Sequence, residues 1–108
     1  MEKRYAVLIT NEYEHDVEGE WIPGEVTRLQ GIFDNKPLVF EAIEKVADEL
    51  VEYLKQRGEE ISGIENDHEG WMRKILVDHS YTFSLIRDDC YKVYSLEYEA
   101  NRLDRIEL

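Results

Sequence analysis

The feature of this sequence that most suggests a chemical role is a row of regularly spaced carboxylates. Every second residue from position 12 to position 20 is acidic, and no Lys or Arg occurs between Arg4 and Arg28. In an extended strand these side chains would share one face, about 6.6 Å apart. Phosphates along an extended nucleic-acid strand lie at a similar spacing of roughly 6–7 Å. The row consists of Glu12, Glu14, Asp16, Glu18 and Glu20, and Trp21 follows it.

A second acidic stretch has the same character. Residues 58–72 carry five acids and no base. Glu65, Asp67 and Glu69 repeat the alternation, and Trp71 stands two residues after them. Solvent faces of strands usually mix both signs of charge, so two base-free stretches indicate binding surfaces. Exposed tryptophans beside polar residues are typical of interaction hot spots, although Trp21 and Trp71 could instead cap the two ends of the core.

Metal binding, nucleophilic catalysis and phosphate binding have little support in the sequence. His15, His68 and His79 have no zinc-ligand spacing, and no calcium loop occurs. Cys90 follows Asp88 and Asp89, whose negative charge disfavours a reactive thiolate. Neither a glycine-rich phosphate loop nor a Gly-x-Ser-x-Gly nucleophile motif is present. We therefore expect no catalytic residues, no metal and no cofactor, and a protein that is not an enzyme.

The composition indicates what kind of partner the chain has. Twenty-five acids and 13 bases give a formal net charge of −12. That charge argues against direct binding of nucleic acid or of anionic membranes, and it favours a basic protein surface as partner. A single cysteine excludes a disulfide framework and suggests the reducing cytoplasm. The apolar run near the N-terminus is too short for a signal peptide or a membrane span.

The length of 108 residues predicts one domain, residues 1–108. Alternation of apolar residues predicts strands, and a stripe with helical spacing predicts a long helix that ends before Gly58. Residues 71–77 are ambiguous, and a short helix is favoured there over a strand. The predicted elements are strands at 4–10, 25–33, 81–87 and 90–100, a helix at 38–57, a polar connection at 59–70, a turn at 88–89 that closes a hairpin, and a charged tail at 101–108.

These elements predict an α+β fold. An antiparallel sheet of about four strands would carry one long amphipathic helix, residues 38–57, packed on one face. Gly19, Pro23 and Gly24 indicate that the chain turns or bulges within or after the first acidic row. An exposed edge strand could also pair across a homodimer.

Small acidic domains of this kind resemble the nucleic-acid mimics that phages and mobile elements direct against host defence nucleases, including anti-CRISPR proteins. The resemblance is one of class, based on charge, size and spacing, and it assigns no role to any residue. It implies an inhibitor that occupies the basic groove of a nuclease or another nucleic-acid-binding protein. The alternative is an immunity protein or regulatory adaptor that binds a different basic partner. A small-molecule-binding or enzymatic domain is the third hypothesis.

Overall fold

The computed structural model describes residues 2–78 and 85–100. Within these ranges the chain forms one helix and a single antiparallel sheet of five strands in the order β2-β1-β5-β4-β3. The α+β fold is thus confirmed, although the sheet has five strands where about four were expected. The elements are β1 Glu2–Val17, β2 Glu20–Phe33, α1 Lys36–Gln56, β3 Glu60–Asn66, β4 Met72–Asp78 and β5 Ile86–Ala100.

The long helix is present close to its predicted bounds. Asn35 caps its N-terminus, since its side-chain oxygen accepts a hydrogen bond from the backbone N–H of Leu38 at 3.1 Å. Pro37 stands in the first turn, where its missing N–H costs nothing. Gly58 follows the helix with a φ of 82°, the left-handed conformation that often ends a helix.

The core lies between α1 and one face of the sheet. Val39, Ile43, Ala47 and Leu54 of the helix are buried against the central strands. The sheet contributes Tyr5, Val7, Ile75, Val77, Tyr91 and Val93. Because side chains alternate along a strand, the even-numbered residues of β1 project from the opposite face. We call that opposite side, which α1 does not cover, the open face.

β1 and β2 form a hairpin with a two-residue turn. Glu18 and Gly19 both have positive φ, 52° and 88°, which fits the type I′ turn preferred between antiparallel strands. The break predicted at Gly19 is therefore the turn. β2 begins at Glu20 and not at Glu25, and it includes Pro23. A proline is tolerated there because β2 is an edge strand.

Residues 59–77 differ from the prediction. The segment read as a polar connection contains β3, and the segment read as a short helix is strand β4. β4 hydrogen-bonds to β3 on one side and to β5 on the other, and it buries Ile75 and Val77 in the core. Pairing on both sides decided the structure of a segment whose local pattern was ambiguous.

The hairpin predicted around Asp88 and Asp89 is also wrong. β5 continues through both residues, and its partners are β1 and β4. Glu12 pairs with Cys90 and Tyr13 with Asp88, so Asp89 is the extra residue of a bulge. Residues 79–84, including most of the predicted strand 81–87, and the tail 101–108 lie outside the described residues. In the described part of the chain, no helix is long and apolar enough to cross a membrane.

Candidate functional site

The first carboxylate of the row is held by side chains of β5. Lys92 Nζ lies 2.5 Å from Glu12 Oε1, and the Cys90 thiol donates a hydrogen bond to Glu12 Oε2 at 3.3 Å. The hydrogen bond from Lys92 is the main cause that lowers the pKa of Glu12, and it raises the pKa of Lys92. Glu12 is therefore an ion-paired residue of the open face.

The next carboxylate joins a second cation from β5. Nε and Nη2 of Arg87 donate to the same oxygen of Glu14 at 3.0 Å and 2.6 Å. The Arg87 guanidinium also lies 3.8 Å from the ring centre of Trp21, a cation–π distance. Trp21 keeps 37% of its surface exposed. The structure thus brings Glu14, Arg87 and Trp21 together as one small cluster.

The last three acids of the row belong to the hairpin tip. Asp16 accepts a hydrogen bond from the Gly19 backbone N–H at 2.8 Å, so its side chain closes the turn. Glu18 occupies the turn itself, and Glu20 begins β2. Both are exposed. The row is therefore not one straight ladder, because its end folds over into the neighbouring strand.

The second acidic stretch spans the end of β3 and the β3–β4 loop. Glu65 lies on the open face directly opposite Lys74 of β4. Asp67 shapes the loop, because its side chain accepts from the Met72 N–H at 3.3 Å and its own N–H donates to the Met72 carbonyl at 3.1 Å. Glu69 is exposed at the loop tip.

Trp71 packs on the edge of the core. Its ring stacks on Tyr5 with centres 5.8 Å apart, and it meets Phe40 edge-on at 4.9 Å. It is half-buried and belongs to the residues packed against the core. This geometry differs from that of Trp21, whose ring lies beneath an arginine at the hairpin.

Members of both acidic sets line one groove. This groove of about 480 Å³ has Glu12 of the first set and Asp67 and Trp71 of the second among its lining residues, with Lys92 also lining it. The remaining members of the first set lie beyond the last β4–β5 pair, in which Leu76 is opposite Cys90. Apart from the residues of this groove, the sequence-predicted residues lie on two different parts of the sheet.

A third acidic surface was not singled out by the sequence pattern. The solvent side of α1 carries five exposed acids within residues 41–52 and a single base, Lys45. Acids on the polar side of an amphipathic helix are ordinary, so their presence alone does not indicate a binding surface. The excess of acidic over basic residues in this helix is the sequence feature that indicates the surface. The acids are Glu41, Glu44, Asp48, Glu49 and Glu52, of which Asp48 lies 3.5 Å from Arg73.

The helix surface adjoins the β3–β4 loop. A groove of about 370 Å³ is lined by Glu44 from α1 and by Asp67 and Glu69 from the loop. His68 and Arg73 line it as well. Part of the second predicted set is thus continuous with the helix acids, and we call this combined area the helix–loop surface.

Neither metal-binding clusters nor similar proteins assign a role to these surfaces. Among the described residues, no group of three or more His, Cys, Asp or Glu is placed to hold a metal ion. A scan against protein-family models, a search of curated proteins and a search of solved structures each found no match.

Proposed function

We propose that this chain is a non-enzymatic module that binds a basic surface of another protein through its helix–loop surface. One observation supports this most directly. The side chains of Glu41, Glu44, Asp48 and Glu52 follow one another along one side of α1 at helical spacing. Successive members are about 4.5–6 Å apart along the axis, at 1.5 Å per residue.

The charge of this surface is poorly compensated. Lys45 is the only base in the helix segment that carries the five acids. Unrelieved like charge costs stability, and a basic partner would relieve it. Such a partner would also associate quickly and in a salt-sensitive manner, because the field of the acids steers the encounter.

A nucleic-acid-binding protein is the partner we favour, with the module acting as an inhibitor by mimicry. The helix acids are spaced at slightly less than the roughly 6–7 Å between phosphates of an extended strand. Glu18 and Glu20 at the hairpin tip add further exposed carboxylates. A basic groove built for a nucleic-acid backbone would accept such a row in place of phosphates.

The alternative is an immunity protein or regulatory adaptor, and a different observation favours it. Glu12 and Glu14 are paired with Lys92 and Arg87, so this part of the open face is mixed in charge and less like a phosphate row. In addition, edge strand β2 exposes several large apolar side chains. These are Trp21, Ile22, Val26, Leu29 and Ile32, and they suit a protein interface or a homodimer.

The test begins with a purified partner captured from cytoplasmic extract. Its affinity is then measured for the wild type and for the variant E41Q/E44Q/E49Q/E52Q. We expect the variant to bind about tenfold more weakly or worse, and wild-type binding to weaken with salt. A matched control, E25Q/E60Q/E97Q/E99Q, removes the same charge from the strands and should bind nearly as the wild type.

Competition distinguishes the two kinds of partner. If the partner's own DNA or RNA displaces the module, inhibition by mimicry is supported. If nucleic acid has no effect while the helix variant still weakens binding, the adaptor is supported instead. Equal affinities for the helix variant and the strand control would show that the helix–loop surface is not the binding site.

A further inference from the structure

A cavity of about 380 Å³ lies on the helix side of the sheet, away from the helix–loop surface. It is formed between the C-terminal half of α1 and strands β1, β2 and β5. Ile9, Val26 and Leu50 give it an aliphatic wall. Its other lining residues are Asn11, Arg28, Gln30, Tyr53, Arg57 and Tyr91. It is open to solvent, since five of its lining residues, Val26, Arg28, Gln30, Tyr53 and Arg57, are exposed. Its volume falls within the range of small-molecule sites.

The charged side chains that line the cavity are basic. Its lining includes two arginines and no acid, although the chain as a whole has a net charge of −12. The guanidinium of Arg28 is exposed and has no hydrogen-bond or ion-pair partner among the described residues. Its donors are therefore available to a bound anion.

The second arginine is held in place by its neighbours. The guanidinium carbon of Arg57 lies 5.5 Å from the Tyr53 ring centre, and Nη2 lies 3.8 Å from Glu59 Oε1. The contact with Glu59 is long, so donors of Arg57 remain for another anion. Guanidinium groups suit carboxylates because two parallel N–H groups match two oxygens.

Two carboxylates adjoin the cavity without lining it. Asp88 accepts a hydrogen bond from Asn11 Nδ2 at 3.0 Å, and Glu59 contacts Arg57. The Oδ1 of Asn11 is buried and has no hydrogen-bond partner among the described residues, but it is enclosed by the protein and is not open to a bound molecule.

We propose that this cavity binds a small organic carboxylate, with its anionic group between Arg28 and Arg57 and its apolar body on the aliphatic wall. The inference does not depend on the helix–loop surface or on the basic protein partner. Charge complementarity selects the anion, and the wall selects an apolar body over a bare inorganic ion.

Phenylbutyrate is a suitable probe, with its neutral amide, phenylbutyramide, as the matched ligand. Titration followed by amide NMR should show saturable shifts for lining residues such as Asn11 and Gln30. We expect R28Q and R57Q each to weaken phenylbutyrate binding about tenfold, because each removes a charge-assisted hydrogen bond. Phenylbutyramide has no negative charge. Its affinity for the wild type should therefore be no higher than the affinity of phenylbutyrate for R28Q or R57Q.

The control is K45Q, which removes one exposed positive charge from α1 outside the cavity. It should bind phenylbutyrate as the wild type does. Since Arg57 contacts Tyr53 and Glu59, R57K serves as a second variant that keeps the charge and should retain part of the affinity. The proposal is overturned if phenylbutyrate causes no localised saturable shifts. It is also overturned if R28Q and R57Q bind like K45Q, or if the amide binds as well as the acid.

Discussion

The Cys90 thiol has an unusual neighbour for a cysteine of a strand. It is 3% exposed and donates its proton toward Glu12. Burial is the largest cause that raises its pKa, followed by the hydrogen bond to Glu12, and together they raise the pKa to about 11. The thiol therefore stays protonated and unreactive near neutral pH.

Substitution of Glu12 tests this account at the scale of one residue. In E12Q the carboxylate is gone, so we expect the pKa of Cys90 to fall from about 11 toward its ordinary value of 9.0. The measurement is the Cys90 Cβ chemical shift across a pH titration. E25Q removes a nearby acid with no hydrogen bond to Cys90 and should leave the midpoint unchanged. An unchanged midpoint in E12Q would mean that burial alone sets the pKa.

The same shift affects stability at alkaline pH. Because the folded pKa of Cys90 lies above 9.0, the protonated thiol stabilises the fold fully below pH 9.0. This contribution is lost as the pH rises toward about 11, where the folded thiol also ionises. The contribution of Glu12 has the opposite pH dependence. Because the folded pKa of Glu12 is lowered, its ionised carboxylate stabilises the fold above the ordinary carboxyl pKa of 4.5, and this stabilisation is lost as the pH falls.

The residues of the acidic row were visible in the sequence, but their partners were not. Alternation placed Glu12 and Glu14 on one strand face, and the structure agrees. Lys92 and Arg87 are 80 and 73 residues away, and only the β1–β5 pairing brings them close. A bulge at Asp89 also shifts the register of β5, so even a correct pairing of strands would not have matched both cations to their acids.

Among the secondary-structure elements, sequence patterns predicted the structure correctly where a segment's own residues determine it. The helix was predicted to within a few residues, because its apolar stripe, its Asn35 cap and Gly58 agree. β3 and β4 were missed because their patterns are short and become decisive only when the strands pair. Asp88 and Asp89 resemble a turn, yet neighbours on both sides of β5 keep the strand continuous.

The hairpin turn offers a test at this scale. Gly19 has a φ of 88° and nothing within 4 Å of the position a Cβ would take, so a substitution there is opposed by backbone strain alone. We expect G19A to lower the free energy of unfolding by about 1–2 kcal/mol, the cost of the left-handed conformation for an L-residue. G19N should cost less, because asparagine tolerates that conformation better. Urea unfolding followed by circular dichroism measures all of these variants.

Gly63 of β3 supplies the matched control. It lacks a positive φ, and an added Cβ would make only an ordinary contact of 3.6 Å with Leu76. G63A should therefore be neutral or slightly stabilising, since alanine loses less backbone entropy on folding than glycine. If G19A proves as harmless as G63A, the turn does not depend on the left-handed glycine.

At the scale of the whole molecule, two electrostatic effects oppose each other. Ion pairs such as Glu14–Arg87 and Lys3–Glu97 stabilise the fold and weaken with salt. The surplus of twelve acids destabilises it by self-repulsion, which salt relieves. The described pairs are partly or largely exposed, and exposed pairs contribute about 0–1 kcal/mol each. The surplus involves every acid without a basic neighbour, so its effect should be the larger one.

We therefore expect added salt to stabilise this protein. The free energy of unfolding should rise between low salt and about 0.5 M NaCl, where the Debye length is well below the roughly 10 Å that applies at 0.1 M. The variant E41Q/E44Q/E49Q/E52Q should start more stable at low salt and gain less from NaCl, because its helix repels itself less. Urea unfolding at several NaCl concentrations measures how the free energy of unfolding changes with salt in the wild type and in the variant. A fall in stability with salt would mean that the ion pairs outweigh the acidic surplus, and the helix acids would then need no partner to relieve them.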